Sequence, residues 1–190
     1  MKTITLQHTT ENKSQYERDL VWENAQDLEH VEYLHNKTNY AFTLMSYEID
    51  PDKEYAYSSL VFMVKRKIFR ILPITTFGYR KIKCKYEIIQ LEYSPFLGLT
   101  SILHSTLVQD PENNAKTLLI DHVTMNIPII LRPLTWLIPK MLDRHTRIQS
   151  AEDESFRERR LELQQRNIKL PLSIFNKSLF ELMLEKNQSD

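Results

Sequence analysis

The sequence predicts an α+β domain: a curved antiparallel sheet of about six strands packed against a long C-terminal helix, with an apolar cavity between them. Three observations point there. A period-two strand opens the chain and gives way to helical spacing; β-rich runs then alternate with Pro, Asn and Asp turns; and after the last run comes a long charged segment of helical period.

Residues 2–9 put Ile4 and Leu6 on one face and Thr3, Thr5 and Gln7 on the other, the alternation of a half-buried strand. From Ser14 to about His35 the spacing turns helical, with Leu20, Ala25, Leu28, Val31 and Leu34 three to five apart. Five runs rich in Ile, Val, Tyr, Phe and Thr follow, Tyr40–Ile49, Glu54–Lys67, Arg80–Glu92, Leu99–Gln109 and Lys116–Ile127. Asp50-Pro51-Asp52, Pro73, Ser94-Pro95 and Asp110-Pro111-Glu112-Asn113-Asn114 supply the turns between them. Within Lys81-Ile82-Lys83-Cys84-Lys85-Tyr86 the lysines share one face and Ile82, Cys84 and Tyr86 the other, so Cys84 reads as an inert small hydrophobe.

Pro128, Pro133 and Pro139 punctuate an apolar approach, Ile127–Leu142, to a helix from about Lys140 to Arg166. Burial of that approach under the helix is expected, with Trp136 in the core or at a cavity mouth. A short amphipathic helix, Ile174–Leu184, precedes a polar tail, which divides the chain into one domain, 1–170, and a C-terminal short helix and tail, 171–190. The Tyr, Phe, Ile and Leu of the strands would line the cavity or fill it as ordinary core, the more common outcome for a generic domain.

Composition excludes several function classes. Two glycines, Gly78 and Gly98, cannot build a dinucleotide turn or a Walker loop. One cysteine cannot form a disulfide, a Cys-pair zinc site or a cysteine-held cluster within this chain, and it points to a reducing compartment. The 25 basic residues balance 25 acidic ones, which argues against nucleic acid as a partner. Met1 to Glu11 has no apolar run of the signal-peptide kind, and Ile127–Leu142 is too interrupted for a membrane span. The expectation is a soluble cytoplasmic protein.

The segment from Trp22 to His35 carries the chemistry. It reads Glu23-x3-Asp27-x2-His30-x4-His35, and two imidazoles with a carboxylate on one face of a metal are the facial triad of non-heme Fe(II). On a regular helix five residues advance about 500°, so His30 and His35 would diverge by ~140° unless the helix bulges or ends between them. Asp27 lies three residues before His30, placed to accept its second ring N–H and fix the tautomer.

That string, with Trp22 and Asn24 around it, resembles the mononuclear-iron motif in the catalytic domain of Rieske-type ring-hydroxylating oxygenases, a member of the START-like (SRPBCC, helix-grip) superfamily. The resemblance implies that His30 and His35 bind iron and that Asp27 links it to the cluster of a neighbouring subunit. It also implies a third ligand in the C-terminal helix. Gln149 to Arg160 looks like that stretch, which makes Asp153 the candidate. His145, Gln149, Asp153 and Phe156 fall on one helical stripe, with Phe156 suggesting an inward face. Asp153 otherwise belongs to a solvated face with Glu152 and Glu154, and Glu152 or His145 could take its place.

The chain departs from that family in having one cysteine, too few for a Rieske cluster. Electrons would have to come from a separate electron-transfer protein or from the substrate. Three functions stay open: a non-heme iron oxygenase acting on a small apolar, aromatic or polyketide-like compound; a non-catalytic carrier of such a compound; and a metal-assisted hydrolase, where zinc would serve as Lewis acid. Self-association to a homo-oligomer is a further expectation. Asp121 and His122 are strand neighbours on opposite faces and therefore no acid–base pair, and His104 reads as a hydrogen-bonded strand residue. The groups Lys65-Arg66-Lys67, Arg70, and Arg80, Lys81, Lys83, Lys85 read as a solvated sheet face or a docking surface for an acidic electron-transfer partner.

Overall fold

Alternating β-branched and aromatic residues make seven strands, β1 Thr3–Ser14, β2 Asn39–Glu48, β3 Ser59–Ile68, β4 Leu72–Cys84, β5 Glu87–Ser94, β6 Leu99–Asp110 and β7 Asn113–Pro128. Among the described residues two helices accompany them, α1 Arg18–Gln26 and α2 Ile138–Gln165, with a 3-10 segment, Ile129–Leu134, before α2. The computed structural model describes residues 2–27, 39–50, 57–68 and 72–166. The strands form one sheet in the order β1-β7-β6-β5-β4-β3-β2, and every pairing is antiparallel. β2 to β7 meander, and β1 closes on β7, which leaves β1 and β2 as the two edges.

α1 drives Leu20, Val21 and Trp22 into a core with Leu60, Phe62 and Val64 of β3. α2 starts with Pro139 in its first turn, where a missing N–H costs nothing. It lies against β1 and α1. Its buried residues are charged, Glu152, Arg157 and Arg160, and ionic contacts take the place of an apolar stripe. Arg157 donates to Ser14 on β1 at 3.3 Å and to Glu154 at 3.0 Å. Arg160 pairs with Asp27 at the end of α1.

The architecture agrees with the expected helix and antiparallel sheet, with four corrections. The strands number seven, because Arg80–Glu92 is two strands joined at Lys85-Tyr86. No Gly, Asn or Asp marks that turn; Tyr86 itself takes the left-handed conformation, φ 74°. Its ring is held by the Arg18 guanidinium 3.9 Å above it, by the edge of Trp22 at 5.8 Å, and by a hydrogen bond from its hydroxyl to Asp19 at 2.5 Å. Cys84 does not share the apolar face of Ile82: a bulge between the two reverses the alternation, and the thiol is exposed beside Glu87. Pro73 lies inside β4, not in a turn. The apolar approach to α2 is not buried, since Ile130 is 81% exposed and Trp136 64%.

Candidate functional site

Cross-strand register fixes which side chains share the core face of β3, β4 and β5. On β3 they are Leu60, Phe62, Val64 and Arg66; on β4 Ile74, Thr76, Gly78, Arg80 and Ile82; on β5 Ile88, Gln90 and Glu92. On this face six of these twelve residues, Leu60, Phe62, Val64, Ile74, Ile82 and Ile88, are aliphatic or aromatic. A charged cluster sits in its middle.

Arg66 and Glu92 come from strands separated by β4 and meet over its small residues Thr76 and Gly78. Gly78 has a steric reason of its own, because a Cβ there would lie 2.1 Å from the Phe62 ring. The pair is two-pronged, Nη1 to Oε2 at 2.7 Å and Nη2 to Oε1 at 2.8 Å. Gln90 donates to Glu92 at 2.7 Å, Arg80 Nε donates to Gln90 at 2.7 Å, and Arg80 reaches the Tyr57 hydroxyl at 3.5 Å. Burial would raise the Glu92 carboxyl, but the charge and hydrogen bonds of Arg66 outweigh it and hold the group below its usual range, with His145 of α2 and Arg80 adding to the effect. The side chains of Arg66 and Glu92 keep 25% and 13% of their surface although protein surrounds them. Both side chains therefore stay partly reachable by solvent.

A second polar spot lies toward β7. The Ser105 hydroxyl donates to Asp121 at 2.6 Å, and burial pushes the Asp121 carboxyl up, which favours its protonated form. Thr10, directly across from Asp121 on β1, has a buried hydroxyl with no hydrogen-bond partner. Two guanidinium groups that donate, a carboxyl raised by burial and an apolar surround can hold a carbonyl, enol or carboxylate of a mostly apolar molecule.

His30 and His35 lie outside the described residues. Asp27 caps α1 and is buried, with Arg160 on its carboxylate. Asp153 is half-buried and accepts from Arg157 at 3.2 Å. In both pairs the guanidinium meets Oδ2 of the carboxylate. Among the described residues no three metal-ligating side chains stand close enough to hold an ion. Asp121 and His122 do point apart: His122 bonds Thr9 at 2.9 Å on the outer face, where its ring lies 6.5 Å from His104. His104 is bonded to Glu87 at 2.5 Å.

Arg66 and Arg80 correct the reading of the basic runs as a solvated face, because they point inward. The signal was in the strands: Arg66 has the parity of Phe62 and Val64, Arg80 that of Ile82, and Glu92 that of Ile88. A shallow, open groove of about 470 Å³ lies between β1 and α2, lined by Asn12, Lys13, Arg147 and Glu154, away from this cluster.

A seven-stranded antiparallel sheet with a long C-terminal helix is consistent with a helix-grip fold. No family model matches the chain, and no curated protein matches it in sequence. Among solved structures it is similar to the Zhui aromatase/cyclase from Streptomyces sp. R1128, with TM-score 0.58, 13% identity, and 84% of this chain and 96% of that one covered. It is also similar to a START superfamily protein from Mycobacterium smegmatis, with TM-score 0.54, 10% identity, and 80% and 97% covered. For the di-domain ARO/CYC BexL from the BE-7585A biosynthetic pathway the TM-score is 0.59 at 12% identity over 80% of this chain, which spans about half, 49%, of that protein. These likenesses show the fold.

Proposed function

We propose that the protein binds a small, largely apolar molecule between the sheet and α2, with one oxygen-bearing group of the ligand against Arg66 and Arg80. The carrying observation is the Tyr57–Arg80–Gln90–Glu92–Arg66 network, set in an apolar face yet still accessible. Similarity to an aromatase/cyclase and a START superfamily protein supports a ligand-holding use of the same fold. The test is calorimetric titration of the full chain with a panel of aromatic ketones and carboxylic acids. Micromolar binding of an oxygenated aromatic supports the reading; no binding across the panel, with the chain folded, contradicts it.

A second reading keeps a metal at His30 and His35, with Asp153 as third ligand and Asp27 positioning a histidine. Its favouring observation is that Arg160 ties Asp27 to α2 two turns from Asp153, on the same side of that helix. Against it stand the arginines on both carboxylates. Metal analysis of anaerobically purified protein decides: stoichiometric iron lost in His30→Ala and His35→Ala supports an oxygenase fed by a separate electron-transfer protein, zinc supports hydrolysis, and no metal removes both.

A further inference from the structure

One end of the sheet gathers the start of β1, the β5–β6 turn, the end of β7 and the segment leading into α2. Register requires this grouping: Thr3 faces Pro128 and Thr100 faces Asn126, and the amide of Ile129 donates to the Lys2 carbonyl at 3.0 Å. Large apolar side chains stand out there into solvent. Phe96 is 72% exposed, Ile130 81% and Trp136 64%, with Ile129 and Leu134 about half exposed. A soluble monomer seldom spends so many large side chains at one end without a use for them.

Among the described residues the charges at this end are mainly positive, with Asp143, bonded to His8 at 2.7 Å, at its border. Residues 2–10, 94–101 and 122–142 contain no Asp or Glu, while Lys2, Arg132 and Lys140 are exposed there. Lys140 holds its ammonium 5.3 Å from the centre of the Trp136 ring. An indole flanked by a lysine, beside protruding aliphatic side chains, is the composition of an interfacial anchor: the apolar groups enter the acyl boundary and the cations stay at headgroup level.

We infer that this end of the molecule docks on an anionic lipid surface, with Ile130, Trp136 and Phe96 inserting and Lys2, Arg132 and Lys140 meeting lipid phosphates. Charge complementarity selects this occupant over a second copy of the chain. A two-fold contact through this end would set three cations against three cations, with Asp143, already bonded to His8, the nearest carboxylate among the described residues to offset them. The inference does not depend on the interior ligand.

The test is co-sedimentation of the full chain with phosphatidylcholine vesicles, with and without phosphatidylserine, and with Trp emission as a second readout. Trp22 is buried, so a blue shift on vesicle addition reports Trp136. The expected result is binding to the phosphatidylserine vesicles that weakens with salt, a blue shift, about fivefold weaker binding for Arg132→Gln or Lys140→Gln, and more than about tenfold weaker binding for Ile130→Ser. These positions are exposed, so the variants should melt like the parent, and melting is measured alongside. Failure to bind phosphatidylserine vesicles at low salt overturns the inference. So does binding indifferent to these variants, or a dimer in sedimentation equilibrium that Ile130→Ser returns to monomer.

Discussion

Arg66 on β3 and Glu92 on β5 reach across an intervening strand to form a two-pronged ion pair at 2.7 and 2.8 Å. Such a pair inside a protein is costly to desolvate and costlier to break, because removal of one member strands the other. Arg66→Met should therefore destabilise by about 2 kcal/mol, below the full range for a sealed pair because the arginine keeps 25% of its surface. Arg66→Met with Glu92→Leu should recover most of that loss, and a double-mutant cycle by urea denaturation measures it. An additive cycle would show that the two side chains do not couple.

Gly78 has Phe62 where a Cβ would be, and Phe62 is itself stacked on Phe42 at 5.5 Å. Gly78→Ala should cost roughly 1–3 kcal/mol by overpacking. Phe62→Leu in the same chain should restore part of it. Thermal melting of the two variants checks the order.

Tyr86 occupies a conformation that glycine prefers, so removal of its side chain relieves backbone strain and loses three contacts at once. A cation over the ring, an edge contact and a hydrogen bond together exceed the strain of one left-handed residue, about 1–3 kcal/mol. Tyr86→Gly should lower the melting temperature more than Tyr86→Phe, which gives up only the bond to Asp19. The reverse order would mean that the ring does not hold the turn.

Asp121 has its carboxyl raised by burial, partly countered by Ser105. A group raised in the folded state stabilises below its unfolded pKa, and that stability is lost as pH rises through the folded value. Asp121→Asn should therefore leave stability unchanged in acid and raise it relative to the parent from the ordinary aspartate pKa upward. The difference between the two melting curves against pH reads this directly. Glu87, held down to about 2 by Lys83, Cys84 and His104, stays charged across that range in both proteins.

Much of the fold was legible because burial imposes a period. Ile4 and Leu6 marked β1, Leu20 marked α1, and the helix expected from Lys140 to Arg166 is found at Ile138–Gln165. The β4–β5 turn was hidden because Tyr86 takes the left-handed conformation on the strength of tertiary contacts, which leave no Gly or Asn in the sequence. The inner face of α2 was hidden because Arg157 and Arg160 look like solvent residues until Ser14 and Asp27 are seen to meet them. The interior cluster was legible in part. A charged residue at an apolar strand position is a visible signal, but the pairing of Arg66 with Glu92 depends on the register of three strands, which pattern alone does not fix.

The most direct test compares a ligand with and without its oxygen. An aromatic ketone and its parent hydrocarbon are titrated into the full chain and into the Arg66→Met, Arg80→Met, Glu92→Leu variant, which removes both guanidinium groups. An anchored oxygen predicts tighter ketone than hydrocarbon binding to the parent, by about tenfold, and near-equal binding of both to the variant. Equal affinity of the parent protein for the two compounds, or a preference for the ketone that survives in the variant, would contradict a ligand held at Arg66.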